Sequence, residues 1–328
     1  MQNKRDYSFD FLRIISMFMV IVIHVSNVYS RSFGIISNKY YLVSLFYNTI
    51  CRISVPLFFM ISGALLLDRN FNKEKYIKRI IRFITIIAFW DILYLLWEYF
   101  YLGIKYDKLY MLLFKPFRAH LWFLYTIIML YIVQPIAKKI LDKSNFYIKI
   151  LLLFIWFSLS ALCLINGFLA KYFSFFSYLG YFIIGKYIYD YSKNNNLKKY
   201  NILFLSLIII SFSITIILNY KASLRYNMFY NLYFAYRTPF IILSSILGYI
   251  LVMQNYDNKP HKLIILLSDL SLGVYLIHGI FLDITINKFS YIYYNPVYSI
   301  PIFSILIFLS SLIVIFILKK IKISKYIV

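Results

Sequence analysis

Residues 9–29 read FDFLRIISMFMVIVIHVSNVY, a stretch that decides the fold class and holds the most informative pair of residues in the chain. It is long and apolar enough to cross a bilayer, which takes roughly 20 residues. Asp10, Arg13 and His24 interrupt it. An uncompensated charge near the centre of such a segment costs on the order of 2–3 kcal/mol or more, so these groups are expected to face a polar interior. Arg13 and His24 are eleven residues apart. At about 100° per residue, eleven steps return to nearly the same helix face. At about 1.5 Å rise per residue, the two side chains are roughly 16 Å apart in depth.

The rest of the chain follows the same pattern. Of its 328 residues, 62% are hydrophobic and only 14% are charged, and the apolar residues come in long runs. That defines an all-α, polytopic membrane protein. The segments of about ten alternating residues that a transmembrane β-barrel needs are absent. The first apolar segment has no small-residue cleavage site, so it is expected to remain as the first span. Cys51 and Cys163 lie in apolar runs without metal-ligand spacing and read as small buried side chains, with no metal implied. The net charge of +23 lies in short connections between spans, with no basic soluble domain that would bind nucleic acid.

Hydropathy predicts about ten spans, near 9–29, 44–67, 83–102, 119–136, 146–167, 173–191, 200–218, 232–253, 264–283 and 299–318, in one membrane domain over 1–328. With the N-terminus inside, one face collects Lys4, Arg5, the cluster from Arg69 to Arg82, Lys138, Lys139, Lys143, Lys193, Lys198, Lys199, Lys259, Lys262 and the tail lysines from Lys319 onward. The other keeps Arg31, Lys39, Lys105, Lys108, Lys115, Arg118, Lys171, Lys221, Arg225 and Lys288. The named residues number 20 against 10, which makes both termini cytoplasmic by the positive-inside rule. Arg13 then lies near the cytoplasm and His24 in the outer half.

Four further segments carry polar groups. CRISVPLFFMISGALLL (51–67) holds Arg52, read either as a snorkelling arginine in a packing motif or as a residue facing the cavity. RNFNKEKYIKRIIRF (69–83) places Lys78, Arg79 and Arg82 at the cytoplasmic entrance to the third span. This cluster either sets topology and binds anionic lipid or grips donor phosphates. HLWFLYTIIMLYIVQPI (120–136) opens with His120 near the outer interface, where Trp122 and Tyr125 suit an aromatic belt. In LSDLSLGVYLIHGIFLD (267–283), Ser271, Tyr275 and His278 fall within an arc of about 60°. An intramembrane histidine can simply bridge helices, but His24, His120 and His278 all reach the outer half. Asp91, Glu98 and Arg237 are further intramembrane charges, expected to pair with one another or with Arg52.

Together these segments resemble the acyltransferase-3 family of integral membrane O-acyltransferases. The resemblance rests on RDYSFDFLRIISMFMVIVIH with its Arg13–His24 pair, VPLFFMISGALLL, KRIIR, HLWFLY, YFIIGKYI and SLGVYLIH, in that order. It implies transfer of an acyl group, usually acetyl and alternatively succinyl, from cytosolic acyl-CoA to a hydroxyl on a cell-surface polysaccharide, a glycolipid or a lipid-linked glycan precursor. The family's functional pair carries over to Arg13 and His24, and its basic segment to Arg79 and Arg82. Two features depart from the family pattern. The glycine-plus-aromatic step of the second span is Gly63-Ala64 here, and the chain is expected to act without a fused hydrolase-like soluble domain. A stand-alone form is expected to acylate its acceptor directly or through a separate partner protein, with homo-oligomerisation open. A plasma or inner membrane is the expected location. The Lys-, Ile-, Tyr- and Asn-rich composition suggests an AT-rich, bacterial genome.

On this reading Arg13, with Lys78, Arg79 and Arg82, holds the acyl-CoA donor. Asp10 fixes the Arg13 guanidinium. His24 acts as general base or as acylated nucleophile, and either role needs the neutral imidazole that apolar surroundings favour. Arg52, His120, Ser271, Tyr275 and His278 line the cavity, and the last three are expected to stabilise the oxyanion. The rival expectation is a polysaccharide exporter with Arg and His on a substrate or proton path. A scaffold or sensor is a weaker third, because it leaves the buried charges without a role.

Overall fold

Asp6 accepts a hydrogen bond from the Ser8 amide and so begins α1 (Tyr7–Arg31). The same device recurs, since Asp, Asn, Ser and Thr satisfy the free amides of a helix start. Ser37 caps α2 (Asn38–Cys51), which leads into α3 (Ser54–Leu66). Asn72, Asn145 and Asn166 cap α4 (Lys73–Phe100), α6 (Phe146–Ile165) and α7 (Gly167–Asn194). A single 3-10 turn (Ala119–Leu121) precedes α5 (Trp122–Lys143). α8 (Asn201–Tyr226) ends at Asn227 in the left-handed region, with φ 49°. Thr238 and Asn295 cap α9 (Pro239–Asn255) and α11 (Pro296–Leu318), each with proline in the first turn, where its missing N–H does no harm. α10 spans Lys262–Phe289.

The computed structural model describes residues 5–68, 72–104, 116–289 and 293–320, apart from the side chains of 171–174. Lys4, Arg69, Lys105, Lys108, Lys115, the tail lysines after Lys320 and the side chain of Lys171 lie outside that description. The described residues are helical with no strand, and nine of their helical segments are long and apolar enough to cross a bilayer. The chain ends determine how to count α7. Arg5 Nη2 binds Asp269 Oδ1 at 2.9 Å, and Lys319 Nζ binds the Asp269 carbonyl at 2.5 Å. Both ends therefore lie on one side, a parity that counting α7 with the nine apolar segments satisfies.

Most helices overrun their predicted spans because polar caps, rather than hydropathy, end them. The second span differs in kind, being two helices meeting at Arg52 and Ile53 instead of one run from 44 to 67. Pro56 has no N–H to offer the Arg52 carbonyl, so the helical bonding lapses there. Arg52 (φ −61°, ψ −22°) and Ile53 (φ −67°, ψ −16°) stay in the helical region, and Asn38–Leu66 remains a single 29-residue crossing.

α3 and α7 make the closest approach in the bundle, through glycine on each side. A Cβ on Gly63 would collide with the Phe182 backbone, and one on Gly185 with the Met60 backbone. Small residues at such crossings let backbones meet where lipid removes the hydrophobic incentive to pack. α1 lies at the centre of the bundle, with Leu12, Met17, Ile21 and Val25 buried against α2, α3, α10 and α11. That position lets its polar residues face inward.

Candidate functional site

Two polar centres lie on α1. At the end near Asp269, the Asp10 carboxylate is 1% exposed and collects four hydrogen bonds. Arg5 donates twice, at 2.7 and 3.0 Å, Arg13 Nη1 once at 3.2 Å, and Ser268 Oγ once at 2.7 Å. The Arg13–Asp10 contact is the i,i+3 pair that the sequence suggests, while Arg5 and Ser268 are additions from outside the helix and from α10. Two guanidiniums share Asp10, but Arg5 also reaches Asp269, so Arg13 is the less committed cation, with its side chain 32% accessible. Lys78 and Arg82 stand exposed on the first turns of α4, with Arg79 half-buried between them. Among the described residues, neither Lys78 nor Arg79 forms an ion pair.

Three imidazoles meet at the other end. His24 of α1, His120 of the 3-10 turn and His278 of α10 have ring centroids 6.1 Å (His24–His120), 5.1 Å (His24–His278) and 4.8 Å (His120–His278) apart. His278 is fully buried, His120 is 7% exposed, and His24 is half-buried. Each ring has a distinct mooring. His278 Nδ1 lies 2.6 Å from the Tyr275 carbonyl, an acceptor, so this nitrogen carries the proton and Nε2 holds the lone pair. The Tyr275 hydroxyl donates to the His120 carbonyl and fixes the turn that carries His120. The Tyr94 ring packs edge-on against His120 at 5.1 Å, while its hydroxyl donates to the Leu276 carbonyl at 2.7 Å. Gly279 leaves room for both, since a Cβ there would lie 2.7 Å from Tyr94 Oη and 2.8 Å from His120 Cε1. Among the described residues, the buried Nε2 atoms of His120 and His278 have no hydrogen-bond partner, a costly state for a polar atom unless a ligand or water completes it. Among the described residues, no group of three His, Cys, Asp or Glu side chains has a metal-binding arrangement.

The remaining predicted residues fall elsewhere. Ser271 Oγ donates to the Ser268 carbonyl of its own helix at 2.7 Å, a full two turns from His278, so it does not face the imidazoles. Tyr275 does reach the centre, but its hydroxyl is committed to the His120 backbone rather than open to an oxyanion. Arg52 Nε donates to Asn48 Oδ1 at 2.7 Å, and its guanidinium lies 4.8 Å from the Phe234 ring centroid. Asn48 in turn donates to Asn27 at 2.8 Å, one turn beyond His24.

The expected pairing of Asp91, Glu98 and Arg237 with one another or with Arg52 is corrected by the structure. Asp91 accepts from Tyr125 Oη at 2.7 Å and from the Phe117 amide at 3.1 Å. Glu98 meets Arg118 Nε at 2.6 Å, and Arg118 also binds Asp283. Trp97 Nε1 donates to Asp283 at 3.1 Å. This Arg118 cluster ties α4, the turn before His120 and α10 together. Its sequence signals are modest: Arg118 is two residues before His120, and Asp283 lies in an apolar run five residues past His278.

The fold and site define a polytopic helical membrane protein with cations near one face and a buried imidazole centre toward the other. The family model described as Acyltransferase domain matches residues 6–320, and the chain belongs to that acyltransferase-3 family. No curated protein and no solved structure is significantly similar to the chain.

Proposed function

We propose that this membrane acyltransferase moves an acetyl group from cytosolic acetyl-CoA to a hydroxyl of a cell-surface polysaccharide, glycolipid or lipid-linked glycan precursor. The observation that carries this reading is the meeting of His24, His120 and His278, from three separate parts of the fold, on the helix that also bears Arg13 and Asp10. Arg13, with Lys78, Arg79 and Arg82, offers guanidinium and ammonium groups to the nucleotide phosphates. The thioester arm then extends along α1, over roughly 16 Å, to the imidazoles.

At that end the His24 imidazole takes the proton of the acceptor hydroxyl as its oxygen attacks the thioester carbonyl. The tetrahedral intermediate collapses to the ester, the C–S bond breaks, and the CoA thiolate leaves with the proton returned by the imidazolium. In the covalent variant, a His24 ring nitrogen attacks the thioester carbonyl, the C–S bond breaks to release the CoA thiolate, and the acyl-imidazole then passes its acyl group to the hydroxyl, whose proton goes to the freed imidazole. The burial of His120 and His278 limits the access of bulk water to the acyl group.

The test uses purified protein in vesicles with acetyl-labelled acetyl-CoA and glycan acceptor. Labelled ester on the glycan, lost in His24→Ala and Arg13→Ala variants that still insert, is the expected result. Wild-type ester yields in both variants would sink the catalytic assignment, and glycan flux without ester would favour an exporter. Acid-labile label retained on wild-type protein, and absent from His24→Ala, would select the covalent route.

A further inference from the structure

A polar cavity of about 270 Å³ lies between the α2–α3 junction, α7 and the segment before α9. Arg52, Arg237, Ser177, Tyr178, Asn231 and Tyr236 line it, and no acidic residue does. Among the described residues, neither arginine forms an ion pair. Arg52 is held by a neutral amide, Asn48, and by the faces of Phe234 at 4.8 Å and Tyr236 at 5.8 Å. Arg237 Nε is buried and, among the described residues, has no hydrogen-bond partner. Two guanidiniums facing one small cavity repel each other, and the orphaned donor adds to that cost. An anion between them relieves both, because the planar guanidinium fork matches carboxylate and phosphate oxygens.

Two of the cavity's lining residues, Tyr178 and Tyr236, belong to an aromatic cluster. Trp122 completes it, with centroid distances of 5.1 Å for Trp122–Tyr178, 6.0 Å for Trp122–Tyr236 and 6.4 Å for Tyr178–Tyr236. Flat aromatic faces of this kind stack against the C–H faces of pyranose rings. Two links join the cavity to the imidazoles. Arg52 connects through Asn48 to Asn27, three residues past His24, and Trp122 follows His120 by two residues.

We propose that this cavity binds an anionic group of the glycan acceptor, a sugar carboxylate or a phosphate, and so presents a neighbouring hydroxyl to His24. The proposal rests on the acyltransferase reading, with the acceptor approaching from the side opposite Asp269. It makes the acceptor an acidic glycan and gives Arg52 and Arg237 the role of selecting it.

Binding is measured on the full-length protein in nanodiscs by saturation-transfer and titration NMR. The probes are digalacturonate, glucose 1-phosphate and neutral lactose. The expected result is that at least one acidic probe binds roughly tenfold more tightly than lactose, with the preference lost in 0.5 M NaCl. Arg237→Gln and Arg52→Gln should each weaken that probe about tenfold, and Arg237→Lys should weaken it less. The better of the two acidic probes identifies the source as carboxylate or phosphate. Lactose binding as tightly as both acidic probes overturns the proposal, as does unchanged acidic-probe affinity in both glutamine variants. The salt series on wild type needs no variant to fold, and thermal unfolding of each variant identifies any that does not. CoA titration of the same samples tests the acyltransferase reading separately, because its failure leaves the anion measurement intact.

Discussion

His24 and His278 face each other at 5.1 Å between ring centroids, but only one of them is free to meet a substrate. His278 is fully buried and tied to the Tyr275 carbonyl at 2.6 Å. His24 is half-buried and, among the described residues, makes no hydrogen bond, so an incoming hydroxyl can reach it. His24→Ala should therefore lower kcat by about 10²–10⁴-fold, the range of a lost general base. His278→Asn should lower kcat less, by about tenfold, with little change in donor KM. Initial rates at saturating acetyl-CoA check both, and a larger loss in the His278 variant would reverse the assignment.

Gly279 makes a sharper test of whether the three rings act as a unit. Its substitution by alanine adds only a methyl group, to a helix in which alanine is otherwise the better residue. That methyl would lie 2.7 Å from Tyr94 Oη and 2.8 Å from His120 Cε1, so the His120 ring must move by several tenths of an ångström. Misplacement of about 1 Å at a reacting centre can cost 10²-fold in rate. Gly279→Ala should keep its expression and thermal midpoint near wild type while losing about ten- to a hundredfold in kcat.

Asp10 tests the other end of α1. Asp10→Asn removes the charge that orients Arg5 and Arg13, and a buried charged hydrogen-bond partner is worth about 1.5–3 kcal/mol. Two effects compete, because the site also becomes more positive toward an anionic donor. Orientation should win, since both arginine side chains are partly exposed and added charge there is screened. The donor KM should rise about tenfold. kcat should change less than threefold, because the imidazoles lie roughly 16 Å away. Steady-state kinetics separate the two parameters.

The sequence made some of this legible and not the rest, for identifiable reasons. Arg13 and Asp10 sit three residues apart on one helix, and local spacing alone brings them into contact. The depth of His24, His120 and His278 followed from their distances to the ends of apolar runs, and the structure does bring the three rings together. Reach along one helix face was harder to read. Ser271 shares an arc with His278, but it is two turns away and spends its hydroxyl on its own backbone. Arg118 and Asp283 are 165 residues apart, and their contact depends on how α4, α5 and α10 pack, which no local pattern encodes. The break at Arg52 was signalled by Pro56, which marks where a helix loses a bond.

The α3–α7 crossing accounts for Gly63, the glycine of the step whose second residue is Ala64 here. Gly63 meets the Phe182 backbone and Gly185 meets the Met60 backbone, so each glycine is the other helix's contact point. Backbone cannot yield as the tip of a side chain can, and a methyl group at either position must push the helices apart. Separation would open the core around Phe59, Met60, Tyr181 and Phe182, all of them fully buried. Gly63→Ala and Gly185→Ala should each destabilise the fold by about 1–3 kcal/mol, the usual cost of overpacking. Gly167→Ala serves as the control, because nothing lies within 4 Å of its Cβ position. Thermal unfolding in detergent should show lower midpoints for the first two variants and none for the control. The double variant should lose less than the sum of the two, because one displacement of the helices relieves both collisions.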